Sequence, residues 1–284
     1  MKRFNYYKPR SLDEAWELKE KIPDALFIAG GTDILVGIKN GELYPPSLIS
    51  LRSIPELNSI KINGGAYIGA LTTISDLIHH PALYDIYPVL VEAAKRLGSV
   101  QIRNVATIGG NLCNCSPCAD MALPLLVLDA KVRLQTAKKS REIPIDEFFK
   151  GPGETNLTPN EILTGIILES PRKSAKAIFL KKGRVKMDLA TASLAALLEM
   201  EGEKCLKARL AAGSAAPVPL RLFKVEAQLE GATITDKLVA EAQQLAAESV
   251  SPITDIRATK EYRRQIVSVL VKRALKNILG WSQA

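Results

Sequence analysis

Residues 107–120 read Thr107-Ile-Gly-Gly-Asn-Leu-Cys-Asn-Cys-Ser-Pro-Cys-Ala-Asp120. Three of the chain's four cysteines fall here, directly behind a Gly-Gly pair. Three chemistries compete for such a stretch: a metal site, a redox disulfide, or a phosphate-cradling turn whose cysteines fill space. A second Gly-Gly pair, Gly30-Gly31, lies upstream behind the apolar run Ala25-Leu-Phe-Ile-Ala29. Val105-Ala-Thr-Ile108 predicts a strand entering the later pair, as Ala25–Ala29 predicts a buried strand entering the earlier one. Glycine tolerates positive φ and lets a ligand approach the backbone closely. Successive N–H groups in such a turn form an anion-binding nest. Two nests facing each other suit a pyrophosphate, hence a dinucleotide. Neither pair is a Rossmann fingerprint or a P-loop, because the required glycine and lysine spacings are absent. On spacing alone, two ordinary tight turns remain an equal alternative.

The rest of the chain mixes strands and helices without regular βαβ alternation, which predicts an α+β architecture. Ser11-Leu-Asp-Glu14 is a capping box opening a helix to about Lys21. Leu48–Leu51 predicts a short strand. Asn63-Gly64-Gly65 predicts a hairpin turn between Ser59–Ile62 and Ala66–Gly69. Helices are expected from Thr73 and over Pro88–Leu97, the latter ended by Gly98. Strands follow at Lys131–Thr136 and Glu161–Leu168. Ser170-Pro-Arg-Lys-Ser174 reads as a domain boundary. Beyond it come strands over Ala177–Lys181, Ala190–Met200 and Cys205–Ala212, then helices from near Pro219, Thr235 and Thr259.

Composition narrows the class. The chain has 284 residues, 47% apolar and 24% charged, the profile of a globular protein of one large or two ordinary domains. No apolar run approaches the ~20 residues of a membrane span, and the basic start lacks the apolar core of a secretory signal. A cytoplasmic protein is expected. The net charge of +8 comes from scattered lysines and arginines, without the stripe and stacking aromatics of a nucleic-acid binder. It reads as a solvated basic surface, or as attraction for an anionic cofactor or acidic partner. His79 and His80, before Pro81, read as helix C-terminal dipole partners rather than catalysts.

Cys113, Cys115 and Cys118 form C-x-C-x-x-C. A cluster or structural zinc needs a fourth thiolate, and Cys205 lies in another predicted domain. Cys115-Ser-Pro-Cys118 has redox spacing but not the βαβ setting of a thioredoxin-like motif. Buried cysteines also serve as small hydrophobes. Packing, a cluster and a reactive thiol all stay open on the residues.

Taken together, Ala29-Gly-Gly-Thr-Asp33, Thr107-Ile-Gly-Gly-Asn111 and Ser116-Pro-Cys-Ala-Asp120 resemble the FAD-binding subunit of the molybdenum hydroxylases. These include the medium chains of carbon monoxide, xanthine and nicotinate dehydrogenases. Ile60–Leu77 fits the family's hairpin and following helix. Pro252-Ile-Thr-Asp-Ile-Arg-Ala-Thr-Lys-Glu-Tyr-Arg-Arg264 resembles its C-terminal signature.

The resemblance implies a vanillyl-alcohol-oxidase-type (PCMH) FAD-binding domain over residues 1–172, with subdomains of about 1–55 and 56–172. A small antiparallel-sheet-and-helix domain over 173–284 would follow. The backbone of Phe27, Ile28, Ala29, Gly30, Gly31, Thr32, Asp33 and Ile34 would wrap the pyrophosphate, with Gly109, Gly110 and Asn111 opposite. Thr107, Asn114 and Asp120 match polar contacts to the flavin nucleotide, and Cys113 sits among them. Leu163, Lys181 and Leu97 match further contacts on a looser local fit. Lys181 could supply positive charge beside the flavin, or be a surface lysine. Asp120 could also cap the helix after it. The implied role is electron transfer. Electrons would pass from [2Fe-2S] clusters on a small partner subunit through FAD to NAD or another acceptor, with substrate oxidised on a molybdopterin-binding large subunit. The assembly implied is a dimer of heterotrimers. Neither a catalytic residue nor a metal ligand is expected in this chain. A self-contained FAD oxidoreductase of the same fold and an iron–sulfur carrier are the alternatives.

Overall fold

The computed structural model describes residues 3–281. The chain opens with a small parallel sheet. Strand Ser47–Ser50 lies at its centre, flanked by Asn5–Tyr7 and Leu26–Ile28. Helices Leu12–Lys21 and Ile34–Asn40 make the crossovers. The first fifty residues therefore do alternate strand and helix, contrary to the sequence reading. Asn5–Tyr7 escaped that reading because it is three residues long and mostly exposed. The Ala25–Ala29 run is a strand only over Leu26–Ile28, and within that strand only Ile28 is buried. Ser11 caps the first helix by accepting the Glu14 N–H. The Glu14 carboxylate returns its bond to the Arg10 N–H at 2.7 Å, one residue before the cap. A fully reciprocal box forms instead between Thr73 and Asp76.

A five-stranded antiparallel sheet follows. Its order is Ile60–Ile62, Gly65–Gly69, Ile162–Glu169, Lys131–Gln135, Ser140–Pro144. Its inner face shares one hydrophobic core with helices Ile74–His79, Pro88–Arg96 and Ala122–Val127. Gly165 is needed in the central strand, because a side chain there would collide with the Tyr67 ring.

The last third is a four-stranded antiparallel sheet of Ala175–Lys182, Ala192–Glu201, Lys204–Gly213 and Leu220–Arg221. Helices Phe223–Leu229, Asp236–Glu248 and Lys260–Leu279 share a core with it. The first of these was expected from near Pro219; a two-residue strand occupies that position instead. Strand Ala192–Glu201 is buried on both faces. Leu194, Ala196 and Leu198 join the core under the three helices, while Ala195 and Leu197 join the core of the five-stranded sheet. This double burial explains its unbroken apolar sequence.

The strand expected at Val105–Ile108 does not form. Thr107 makes a single bridge to Thr73, and helix Ile108–Cys113 then begins with Thr107 as its cap. The β-branched residues are used in a strap rather than a ladder. Ile74 N–H donates to Ala106 O (2.9 Å), Ile108 N–H to Thr72 O (3.0 Å) and Gly109 N–H to Ala70 O (2.8 Å). The second Gly-Gly pair is thus the first turn of a helix. Among the described residues, no helix is long and apolar enough to cross a membrane.

Candidate functional site

The two glycine pairs meet, and the glycines within each pair do different work. A Cβ on Gly30 would overlap the Val105 carbonyl, and one on Gly109 would sit 2.6 Å from Ala70 Cβ and 2.7 Å from Ala70 O. These two glycines let backbone pack on backbone. Gly31 and Gly110 are the other kind. Gly31 holds a left-handed φ of 79° that few side-chain-bearing residues adopt. A Cβ on Gly110 would meet only Thr107 Oγ1 at 2.8 Å and Ala29 Cβ at 3.8 Å. Gly110 therefore faces the first turn across a gap. Asn114 Nδ2 donates to Asp33 Oδ1 at 3.3 Å and ties the two turns together.

The N–H groups lining the gap are unequal. Gly109, Gly110 and Asn111 donate within the chain, to Ala70 O, Thr107 Oγ1 and Thr107 O. Gly30, Gly31, Thr32 and Asp33 have no acceptor for their main-chain N–H groups among the described residues. Unpaired donors in succession suit an anion with several oxygens. The donor run and the room at Gly110 fit the pyrophosphate of a dinucleotide.

The remaining sequence-predicted residues divide into those at the cleft and those in the core. Thr107 is buried, with its hydroxyl committed to the helix cap. Phe27, Ala29 and Ile34 are half-buried against the first sheet's cores, and Ile28 is buried. Asn111 Oδ1 accepts from Met121 N–H at 3.3 Å and holds the following loop. Leu97 and Leu163 are buried in the main core, so their side chains act by packing. Asp120 is not a helix cap: the cap position belongs to Met121, without a side-chain bond. Asp120 is instead buried and paired, its Oδ2 accepting from Lys181 Nζ at 2.6 Å. Lys181 Nζ also donates to Arg96 O at 3.1 Å. Lys181 is therefore neither a surface lysine nor an uncompensated charge.

The cysteines diverge. Cys115 adopts φ 49°, and its thiol lies 3.1 Å from Gly151 O and 3.0 Å from Glu154 O. Cys118 points the other way, its Sγ accepting from Ser214 Oγ at 3.0 Å and Arg257 Nη1 at 3.4 Å. Cys113 remains near the cleft, and burial pushes its thiol up to about 12. Burial also raises Cys115. Among the described residues, no group of three or more His, Cys, Asp or Glu is placed to hold a metal. Replacing Cys113, Cys115 and Cys118 together by alanine is expected to leave flavin content unchanged and to remove no metal-dependent absorbance. Loss of such absorbance in the triple variant would restore the cluster reading.

Sequence reasoning missed what braces this loop. Ser214 N–H donates to Pro117 O at 2.7 Å. Arg257 is held by Asp255 at 2.6 Å, and Asp255 in turn by buried Arg263 at 2.7 Å. The Pro252-to-Arg264 signature is visible, but its contact with the cysteine loop crosses some 140 residues and leaves no local pattern.

Residues 2–171 match the model for the FAD binding domain in molybdopterin dehydrogenase, and residues 177–278 the CO dehydrogenase flavoprotein C-terminal domain. The chain belongs to the FAD-binding medium-subunit family of the molybdenum hydroxylases. It is 31% identical to the glyceraldehyde dehydrogenase medium chain of Sulfolobus acidocaldarius, over 97% of this chain and 98% of that one. It is 32% identical to the carbon monoxide dehydrogenase medium chain of Hydrogenophaga pseudoflava, over 96% of each. A solved carbon monoxide dehydrogenase from Hydrogenophaga pseudoflava superimposes with a TM-score of 0.96, covering 98% of both chains at 32% identity. Quinoline 2-oxidoreductase from Pseudomonas putida gives 0.93 at 28% identity, covering 99% of both. Like these relatives, this FAD-binding family member is an oxidoreductase subunit. The unpaired N–H run lies inside its FAD-binding domain.

Proposed function

We propose that the chain holds FAD across its two glycine turns and serves as the electron-transfer subunit of a molybdenum-containing hydroxylase. The pyrophosphate lies against the N–H groups of Gly30–Asp33, with Gly110 opposite. Phe27–Ile34, Thr107, Gly109, Asn111, Cys113 and Asn114 form the rest of the cradle, backed by Leu97, Asp120, Leu163 and Lys181. Bound FAD supplies the redox chemistry; the chain binds it, orients it and excludes competing reactions. Electrons enter from [2Fe-2S] clusters on a small partner and leave to NAD or another acceptor, while substrate is oxidised on a molybdopterin-binding partner. The complex is a dimer of heterotrimers working in the cytoplasm, in keeping with four free cysteines. Residues 1–172 form the FAD unit and 173–284 the unit that braces it.

The observation that carries this reading is the run of unpaired N–H groups at Gly30–Asp33, in the turn that Gly110 approaches at Ala29. The test is an anaerobic visible spectrum of the purified chain, with heat-released flavin and iron assayed on the same sample. The expected result is a two-banded spectrum with about one FAD and no iron, and no turnover of small substrates by the chain alone. An FAD-free chain would overturn the cradle. Turnover by the isolated chain would favour a self-contained flavoenzyme.

A further inference from the structure

Glu199 is a nearly enclosed carboxyl without a hydrogen bond. The residue is 7% exposed. Among the described residues its one partner is Arg172 Nε at 3.6 Å, beyond hydrogen-bond reach. Glu199 lines a cavity of about 340 Å³ with Arg172, Leu206, Lys207, Arg209 and Glu230, at the small end of ligand pockets. The cavity lies at the seam between the two domains. Leu197, two residues before Glu199, packs into the core of the five-stranded sheet, and side chains two apart share a sheet face. Arg172 falls between the two matched domains. Lys207 and Arg209 reach across to Asp129.

This is not the flavin cradle. Lys181 pairs with Ser193 in the strand ladder, and Glu199 pairs with Ala175 at its other end. That separation is about 20 Å at the usual rise per residue.

The lining groups differ in their spare bonding capacity. Glu230 Oε1 accepts from Ala208 N–H at 3.1 Å and Arg209 Nη1 at 2.8 Å. Arg209 Nε is committed to Asp129 at 3.1 Å. Lys207 Nζ makes one described bond, to Asp129 at 3.1 Å, and an ammonium has three donors. The Arg172 side chain is 74% exposed, with the loose Glu199 contact as its one described pairing. A buried carboxyl calls for donors, and a cationic donor makes the stronger bond. Arg172 and Lys207 call for an anion. Leu206 supplies an apolar wall.

The geometry points to a second binding site here, for a small α-amino acid in its zwitterionic form. Its ammonium faces Glu199, its carboxylate lies between Arg172 and Lys207, and its side chain lies along Leu206. A simple cation fits less well, because three cationic side chains line the cavity against two carboxyls. A simple anion leaves Glu199 without a donor. The zwitterion answers both and adds no net charge to the seam.

The test is equilibrium dialysis of the purified full chain against radiolabelled L-alanine, repeated with Glu199→Gln and Arg172→Ala. Glu199→Gln loses no hydrogen bond and Arg172 is exposed, so both variants should fold and keep the wild-type flavin content. About one alanine per chain should bind in the range of about 1–10 mM, with affinity about tenfold lower in either variant. Propionate and ethylammonium, each lacking one of the two charges, should compete about tenfold less well than unlabelled alanine. Absence of saturable binding, or unchanged affinity in either variant, would overturn the inference. Equal competition by ethylammonium or by propionate would make the site one for a simple ion and overturn it too. Should Glu199→Gln not fold, the competition measured on the wild type decides. None of these readouts passes through the flavin.

Discussion

Gly110→Val is expected to give a folded chain that purifies without FAD. The new Cβ would stand 2.8 Å from Thr107 Oγ1 and 3.8 Å from Ala29 Cβ. Its methyl groups would then fill the gap between the two turns, where the pyrophosphate is placed. The fold should survive, because the only group displaced is the capping hydroxyl, and losing a cap costs about 1 kcal/mol. Gly109→Ala is the informative contrast. Its single added methyl meets Ala70 at 2.6 Å and presses on the strap between residues 70–74 and 105–109. That variant should lose thermal stability and flavin together. Thermal melts and heat-released flavin on both proteins check the pair of outcomes. A Gly110→Val protein that kept stoichiometric FAD would move the pyrophosphate elsewhere.

The second large effect is on stability. Arg263 is 2% exposed. It donates to Thr191 O at 2.6 Å, Ser214 O at 3.3 Å and Asp255 Oδ1 at 2.7 Å. Arg263→Met keeps much of the volume and removes every donor. Breaking a buried pair from one side costs about 3–5 kcal/mol, which a urea unfolding curve will register directly. Because Ser214 and Arg257 also hold Cys118, flavin affinity should fall as well. The wild-type interaction has a defined pH dependence. Arg257, Arg263 and two main-chain N–H groups hold the Asp255 carboxyl well below the usual carboxylate range. A depressed folded-state pKa contributes stability that is present above the unfolded carboxylate value and lost as pH falls through the folded one. The contribution is therefore intact at neutral pH and disappears only in strong acid. Asp120 has the opposite sign: its raised pKa favours the native state at low pH, and that advantage fades as pH rises through about 6.

What the sequence disclosed was local. The Asn63-Gly64-Gly65 hairpin, the Thr73 cap and the Thr235 and Thr259 helix starts carry their signals within four residues, and all stand in the structure. The resemblance carried the pairing of the glycine motifs, which spacing alone left ambiguous. What failed was decided by tertiary contacts. Val105–Ile108 has strand composition, yet its hydrogen bonds go back to Ile102 and across to Thr72 and Ile74, and a helix starts on two glycines. Glycine is a poor helix former, but here close packing on Ala70 and Ala29 overrides propensity. The buried pairing of Asp120 with Lys181 spans 61 residues. No periodicity reports such a contact. The crowding of the three cysteines does not bring their thiols together: past the left-handed residue at Cys115, Cys115 and Cys118 reach different partners.

The loop from Cys113 to Asp120 is clamped from both sides, by the Gly151–Glu154 turn and by Ser214 with Arg257. Synthesis is vectorial, so these clamps arrive late. The glycine turns leave the ribosome first, but the far clamp is not complete until Arg263 has emerged. At a translation rate of about 5–20 residues per second, the interval from Asp120 to Arg263 is roughly 7–30 s. During it the nascent cradle has half its bracing. A chain truncated before Lys260–Leu279 is therefore expected to hold FAD weakly, which flavin content of the truncated protein checks.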